Sequence, residues 1–203
     1  MQGWRVEVKV HPGGSMTVRV VIASHSGYGH TRRVADSIAE GASSVLNTEV
    51  VQINVAEVSE SGWQLLAQAD AIIFGAPTYM GGPSGQFKVF ADASAKVWFA
   101  QGWKDKIAGG FTCSMAMSGD KFSTLQYFVT LAMQHSMVWV GTGLMPAMRA
   151  GHPEELNRIG SSVGVMAQAD NVAPEQSPPS GDLATGKAYG ARIAQLTRQY
   201  QRL

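Results

Sequence analysis

Apolar residues along this chain follow two spacings in turn, one typical of buried strands and the other of helices. Residues 17–24 (TVRVVIAS) form a run rich in β-branched side chains, which predicts a strand buried on both faces of a parallel sheet. From residue 30 to 46, apolar positions including Val34, Ile38 and Ala42 recur at helical spacing. Only a few residues separate the two segments, so the pattern predicts strand, tight loop and helix.

The alternation continues towards the C-terminus. Further strands are predicted at residues 49–55, 71–75, 107–113 and 137–140, and helices at residues 62–69, 87–98, 121–134 and from about 181 onwards. Strands that alternate with helices imply parallel pairing and right-handed crossovers. We therefore predict an α/β fold: a flavodoxin-like, doubly wound, five-stranded parallel sheet in the order 2-1-3-4-5, the middle layer of a three-layer sandwich.

A Rossmann domain is the alternative α/β fold. It requires Gly-x-Gly-x-x-Gly directly after the first strand, and here Gly27 and Gly29 are followed by Arg32 in place of the third glycine. The flavodoxin-like sheet is the better match.

Length and composition fit one domain with an ordinary core, since the chain has 203 residues and 45% apolar content. Residues 1–15 precede a second methionine, Met16, and are predicted to be an extension outside the fold, either a tail or an added strand. Residues 16–203 would form the domain. Within it, residues 141–180 are rich in Gly, Pro, Ser and Ala and are predicted to be one long excursion with a role in function or assembly.

The net charge of the chain argues against two classes of binding partner. Sixteen basic and fifteen acidic residues leave a balance of +1 with no charge blocks, so neither nucleic acid nor a membrane is the expected partner. No apolar run is long enough for a membrane span. The single Cys113 fits a reducing compartment, and we expect a cytoplasmic protein. No metal site is predicted.

Three loops follow the strands that flank the expected reversal of strand order, where ligands bind in open parallel sheets. The first loop, residues 24–31, combines hydroxyl groups, two glycines and the start of a helix, which favours a phosphate. A hydroxyl-capped helix after a glycine turn would have the same composition. No lysine follows as in a P-loop, so a nucleoside triphosphate is not expected. The candidate residues are Ser26, Gly27, Tyr28, Gly29, His30 and Thr31.

The second loop, residues 77–82, is stiffened by proline and contains an aromatic and a thioether side chain, which suit a flat ligand ring. A rigid surface turn is the alternative interpretation. The third loop, residues 114–119, offers small and polar residues to the edge of such a ring. The candidates in these two loops are Pro77, Thr78, Tyr79, Met80, Gly81, Gly82, Ser114, Met115, Ala116, Met117, Ser118 and Gly119.

Several segments in order resemble the WrbA-type NAD(P)H:quinone oxidoreductases and related FMN reductases of the flavodoxin-like superfamily. The segments are residues 26–30 (SGYGH), 72–78 (IIFGAPT), the Gly85-Gln86 pair, Trp98 and residues 135–138 (HSMV). The resemblance implies that the first loop binds the FMN phosphate, that the second binds the isoalloxazine ring and ribityl chain, and that the third completes the cofactor site. It departs from the family where Tyr79 and Gly82 replace the usual arginine and asparagine, and where the long insertion before the third strand is missing.

The resemblance also implies catalytic roles for Trp98 and His135 on the substrate side of the flavin, often reached from a neighbouring subunit. Both have plainer interpretations. Trp98 continues an apolar helical face, and His135 ends a helix, where its charge would interact favourably with the dipole.

The function that the resemblance implies is two-electron transfer from NAD(P)H to a quinone in a homodimer or homotetramer. The alternatives are a flavodoxin-type carrier that docks on proteins, and a flavin-free regulatory protein. The balance of +1 argues against the carrier, since proteins of that kind are usually strongly acidic.

Overall fold

A computed structural model describes residues 17–149 and 152–202, so the predicted extension at residues 1–15 lies outside the described residues. Strands and helices alternate along the chain as expected. The strands are β1 Val18–Ser24, β2 Thr48–Asn54, β3 Ala71–Tyr79, β4 Gly82–Pro83, β5 Ile107–Ser114, β6 Val138–Trp139 and β7 Val165–Gln168. The helices are α1 His30–Ser43, α2 Glu60–Gln68, α3 Gly85–Ala93, α4 Ala95–Phe99, α5 Lys121–Gln134 and α6 Ser180–Tyr200, with a 3₁₀ turn at Val55–Glu57.

The central sheet has the order β2-β1-β3-β5-β6, and these five strands are parallel. Because β5 and β6 are the fourth and fifth predicted strands, this order is the predicted 2-1-3-4-5. The flavodoxin-like prediction is confirmed.

The fifth position of the sheet is shared by two short strands. β6 pairs with Ile107 and Ala108 at the start of β5, whereas β7 pairs with residues 111–114 at its end. The prediction of one long excursion over residues 141–180 is therefore wrong, because the chain returns to the sheet at β7. Val165 and Ala167 are buried while Met166 and Gln168 are partly exposed, which is the alternation of a strand with one face on the core.

Two hydrophobic cores lie on opposite faces of the sheet. α1 and α6 cover one face, and α2, α3 and α5 cover the other, where Phe74, Phe87 and Trp103 pack together. The backbones of α1 and α6 approach closely at Gly190, where an added Cβ would lie 2.0 Å from the carbonyl oxygen of Ile38. Among the described residues, no helix is both long and apolar enough to cross a membrane.

Two element boundaries differ from the sequence prediction, and both bear on the site. β3 continues past Gly75 to Tyr79, because a two-residue turn with positive φ at Met80 and Gly81 pairs it with β4. The helix predicted over residues 87–98 is interrupted at Ser94, whose hydroxyl donates to the carbonyl of Ala91.

Candidate functional site

A cleft of about 380 Å³ opens at the carboxyl ends of β1, β3 and β5, where the strand order reverses. It brings together parts of all three predicted loops and a fourth segment after β7. The lining residues are Tyr28, His30, Thr31, Pro77, Tyr79, Cys113, Ser114, Met115, Ala169, Asp170, Asn171 and Val172.

The first loop presents backbone donors that have no acceptor among the residues described by the structure. The Ser26 hydroxyl accepts the N–H groups of Gly29 and Arg32, each at 3.1 Å, and so fixes the turn into α1. Gly29 has φ of +93°, which a side chain would strain. Five other amides make no hydrogen bond among the described residues, namely those of Ser26, Gly27, Tyr28, His30 and Thr31. Free amides at a helix N-terminus form a cradle for an anion.

His25, which the sequence analysis did not select, joins the first loop to the segment after β4. Its ring Nδ1 lies 2.9 Å from the hydroxyl oxygen of buried Ser84, and its backbone N–H donates to the carbonyl of Gly75. Burial lowers the pKa of His25, which favours the neutral form of the ring. A histidine between hydroxyl residues gave no recognisable signal in the sequence.

The second loop is a tight hairpin with Tyr79 at its base and Met80 exposed at its tip. The Tyr79 ring packs edge-to-face on Tyr28, with 6.4 Å between ring centroids. The Tyr79 hydroxyl lies 2.6 Å from the position that a Cβ would take at Gly27, so a side chain there would require the Tyr79 ring to shift. Tyr79 thus connects the second loop to the first. At Gly81 and Gly82, an added Cβ would meet no atom within 4 Å.

Thr78 supports the second loop from inside the fold. Its hydroxyl lies 2.8 Å from those of Thr112 and Thr124, and the Thr112 hydroxyl donates to the carbonyl of Ala76. The side chain of Thr78 is therefore committed to this buried network, and Thr78 does not line the cleft.

The third loop lies over a buried amine. Lys121, the first residue of α5, is fully buried, and its Nζ donates to the carbonyl oxygens of Ala116 at 2.6 Å and Met117 at 3.1 Å. Of the other predicted residues, Ser114 is the last residue of β5, and Met115, Ser118 and Gly119 follow it. Ser114 and Met115 line the cleft.

The segment after β7 forms a fourth side of the cleft, which sequence reasoning missed. Its carbonyls at Val172 and Pro174 accept hydrogen bonds from His30 Nε2 at 2.9 Å and from Arg33 at 2.6 Å. Because a carbonyl only accepts, His30 carries its proton on Nε2. Little in the sequence pointed to this segment, because β7 has only four residues.

Trp98 and His135 do not line the cleft of this chain. Trp98 is about half exposed on α4, and a role at the flavin would require contact from a second subunit. His135 is buried, with Nε2 2.9 Å from the Ser94 hydroxyl and its ring 4.4 Å from that of Trp103. Burial lowers the pKa of His135 to about 4, so the ring is neutral at pH 7.

Cys113 lines the floor of the cleft but is buried, and burial raises its pKa to about 12. The thiol stays protonated and is a poor nucleophile. Among the described residues, no cluster of three or more His, Cys, Asp and Glu side chains is arranged to hold a metal ion.

The family model described as NADPH-dependent FMN reductase matches residues 16–150. The chain belongs to this family. A flavodoxin, FldP, of Pseudomonas aeruginosa is 46% identical over 183 residues, which is 89% of this chain and 97% of the relative. An NAD(P)H dehydrogenase (quinone) of Geotalea uraniireducens is 30% identical and is covered over its full length by 91% of this chain.

Among solved structures, a flavodoxin, WrbA-like protein from Agrobacterium tumefaciens superposes with a TM-score of 0.72 at 46% identity. The match covers 91% of this chain and 99% of that one. The resemblance to WrbA-type proteins is thereby confirmed.

FMN is the cofactor of this family member, and the cleft fits it. The free amides of the first loop suit its phosphate, and the cleft volume lies within the range of small-molecule sites. The phosphate would be held by residues 26–31, and the flavin ring by the second and third loops.

Proposed function

We propose that the chain is an FMN-dependent oxidoreductase that transfers two electrons from NAD(P)H to a quinone or a similar acceptor. The observation that carries the proposal is the set of free amides at the start of α1, beside a cleft whose other walls come from loops two, three and four. When bound, FMN supplies the redox chemistry, accepting hydride and giving up electrons. The relatives named NAD(P)H dehydrogenase (quinone) support the choice of substrates.

The protein's part in the reaction is to bind and orient. The first-loop amides and the α1 dipole would stabilise the phosphate without a lysine, so the cofactor would be anchored at one end by fixed dipoles. Pro77, Tyr79 and Met115 form the apolar walls on which the ring would lie. No side chain in the cleft is assigned as a nucleophile.

A carrier function is the second candidate, and the 46% identical relative named as a flavodoxin favours it. A carrier would bind FMN in the same way but take its electrons from a protein partner. The charge balance of +1 gives this chain little of the electrostatic field that such docking uses.

Anaerobic stopped-flow absorbance of the FMN-loaded protein separates the two candidates. We expect NADPH or NADH to bleach the flavin within the turnover time and a quinone to restore its colour. Because both substrates would use the same cleft in turn, initial rates should follow a ping-pong pattern. Slow bleaching by both nicotinamides, with full reduction by dithionite, would favour the carrier; a protein that binds no FMN would refute both.

We further propose that the protein is a cytoplasmic homodimer or homotetramer. Exposed apolar side chains around the cleft support a covering subunit, notably Tyr28, Met80 and Met115. Light scattering on the FMN-loaded protein should give a mass that is a multiple of the 21.6 kDa chain; a monomer would contradict it.

A further inference from the structure

A buried ion pair lies behind the cleft, between the segment before β7 and the first turn of α6. Arg158 Nε and Nη2 donate to the two carboxylate oxygens of Asp182 at 2.7 and 2.9 Å, and both side chains are almost completely buried. A buried pair of this kind costs desolvation energy and is weak evidence for stability alone. Its position beside the cofactor loops therefore requires a separate explanation.

Gln168, the last residue of β7, connects the pair to two loops of the cleft. Its backbone N–H donates to Asp182 at 2.8 Å, and its side-chain oxygen accepts from Arg158 at 3.0 Å. The side-chain nitrogen of Gln168 then donates to the carbonyl of Met115 at 3.0 Å and to the carboxylate of Asp170 at 2.7 Å. The ion pair thus fixes the third loop and the fourth through one amide side chain.

Lys121 holds the next two carbonyls of the third loop. Its buried Nζ donates to Ala116 and Met117, while Arg158 Nη1 approaches the Met117 sulfur at 3.7 Å. Burial lowers the pKa of Lys121 to about 8, so its amine remains mostly protonated at pH 7. Three successive carbonyls are therefore held from behind the loop, that of Met115 by Gln168 and those of Ala116 and Met117 by Lys121.

The orientation of these carbonyls fixes the orientation of the amides. In a trans peptide the C=O of one residue and the N–H of the next point in opposite directions. The N–H groups of Ala116, Met117 and Ser118 are thus directed away from the Gln168 and Lys121 donors, and none of the three makes a hydrogen bond among the described residues. The loop presents three free donors on its outer side.

We propose that Lys121 and the Arg158–Asp182 pair are positioning residues of the flavin site: they hold the third loop by its carbonyls so that its free amides can bind the polar edge of the flavin ring. The inference rests on the proposed function, because that function places the ring against this loop. The positive charge of Lys121 behind the loop would also favour the reduced flavin, which carries more negative charge than the oxidised form.

Lys121→Met tests this directly, with Lys88→Met as the matched control at an exposed position of α3. Dissociation constants are measured for FMN and for riboflavin, which has the same ring without the phosphate. We expect Lys121→Met to raise the dissociation constants of both flavins by the same factor, about tenfold. We also expect it to make the midpoint potential of bound FMN more negative. Lys88→Met should change neither quantity.

A folded Lys121→Met protein with unchanged affinities and potential would overturn the proposal. Should that variant fail to fold, the double variant Arg158→Met/Asp182→Leu removes the pair without leaving a buried charge unpaired. It should fold and lose affinity for FMN and riboflavin by the same factor. Wild-type affinity would again overturn the proposal. Failure of the proposed function would be seen in the wild-type protein instead, which would then bind FMN but not oxidise NAD(P)H.

Discussion

Replacing His135 by glutamine distinguishes a structural histidine from a catalytic one. The ring is buried against Trp103 and bonded to Ser94, and its Nδ1 has no hydrogen-bonding partner in the part of the chain described by the structure. Protonation would place a charge in this apolar site, which is why burial lowers the pKa of His135 to about 4. Glutamine offers a polar group to Ser94 but does not titrate.

The magnitude follows from proton linkage. In the unfolded chain the His135 pKa returns to 6.5, so the unfolded state binds more protons between that pH and about 4. The stability that the neutral ring contributes is therefore complete above pH 6.5 and is lost as the pH falls towards about 4. The pKa difference corresponds to about 3 kcal/mol in total. About 2 kcal/mol of it is lost by about pH 5.

Urea unfolding at about pH 7.5 and about pH 5 measures this loss. Other groups titrate in both proteins, so the informative quantity is the difference between wild type and His135→Gln. The wild-type midpoint should fall by about 1 M urea more than that of the variant. NAD(P)H:quinone turnover at the higher pH should stay within about twofold. Equal acid sensitivity of the two proteins, together with a large loss of turnover in the variant, would refute a structural role and support the catalytic role that the family resemblance implies.

Two glycine substitutions test the site and the helix packing that supports it, and a third serves as a control. Gly29→Ala places a Cβ at positive φ and 2.9 Å from the Pro174 side chain, so we expect the Kd for FMN to rise by about tenfold in a fluorescence titration. Gly85→Ala, where nothing lies within 4 Å of the added Cβ, is the control and should bind FMN as the wild type does; equal affinity of both variants would contradict the cradle. Gly190→Ala forces α1 and α6 apart at Ile38 and should lower the free energy of unfolding by about 1–3 kcal/mol in urea titrations. Wild-type stability would show that the helices do not pack as described.

Periodicity predicted the parts of this protein whose structure depends on local burial. The α5 bounds, Lys121–Gln134, agree with the predicted helix, and the sheet order followed from alternating elements. β7 was not predicted, because four residues are too few for a clear hydrophobic pattern and because its pairing with β5 depends on a distant part of the chain. The roles of Lys121 and Arg158 behind the cofactor loops could not be predicted either. Lysine and arginine side chains are normally exposed, and only the tertiary structure shows these two buried.

The central claim is that the free amides after β1 bind a phosphate monoester, and the comparison of FMN with riboflavin in the wild-type protein tests it most directly. Both ligands carry the same ring, so a calorimetric titration of flavin-free protein isolates the contribution of the phosphate. We predict that FMN binds at least about a hundredfold more tightly, as expected for several charge-assisted hydrogen bonds. Equal affinity for the two flavins would contradict the claim, because the residues at the start of α1 would then not contribute to binding.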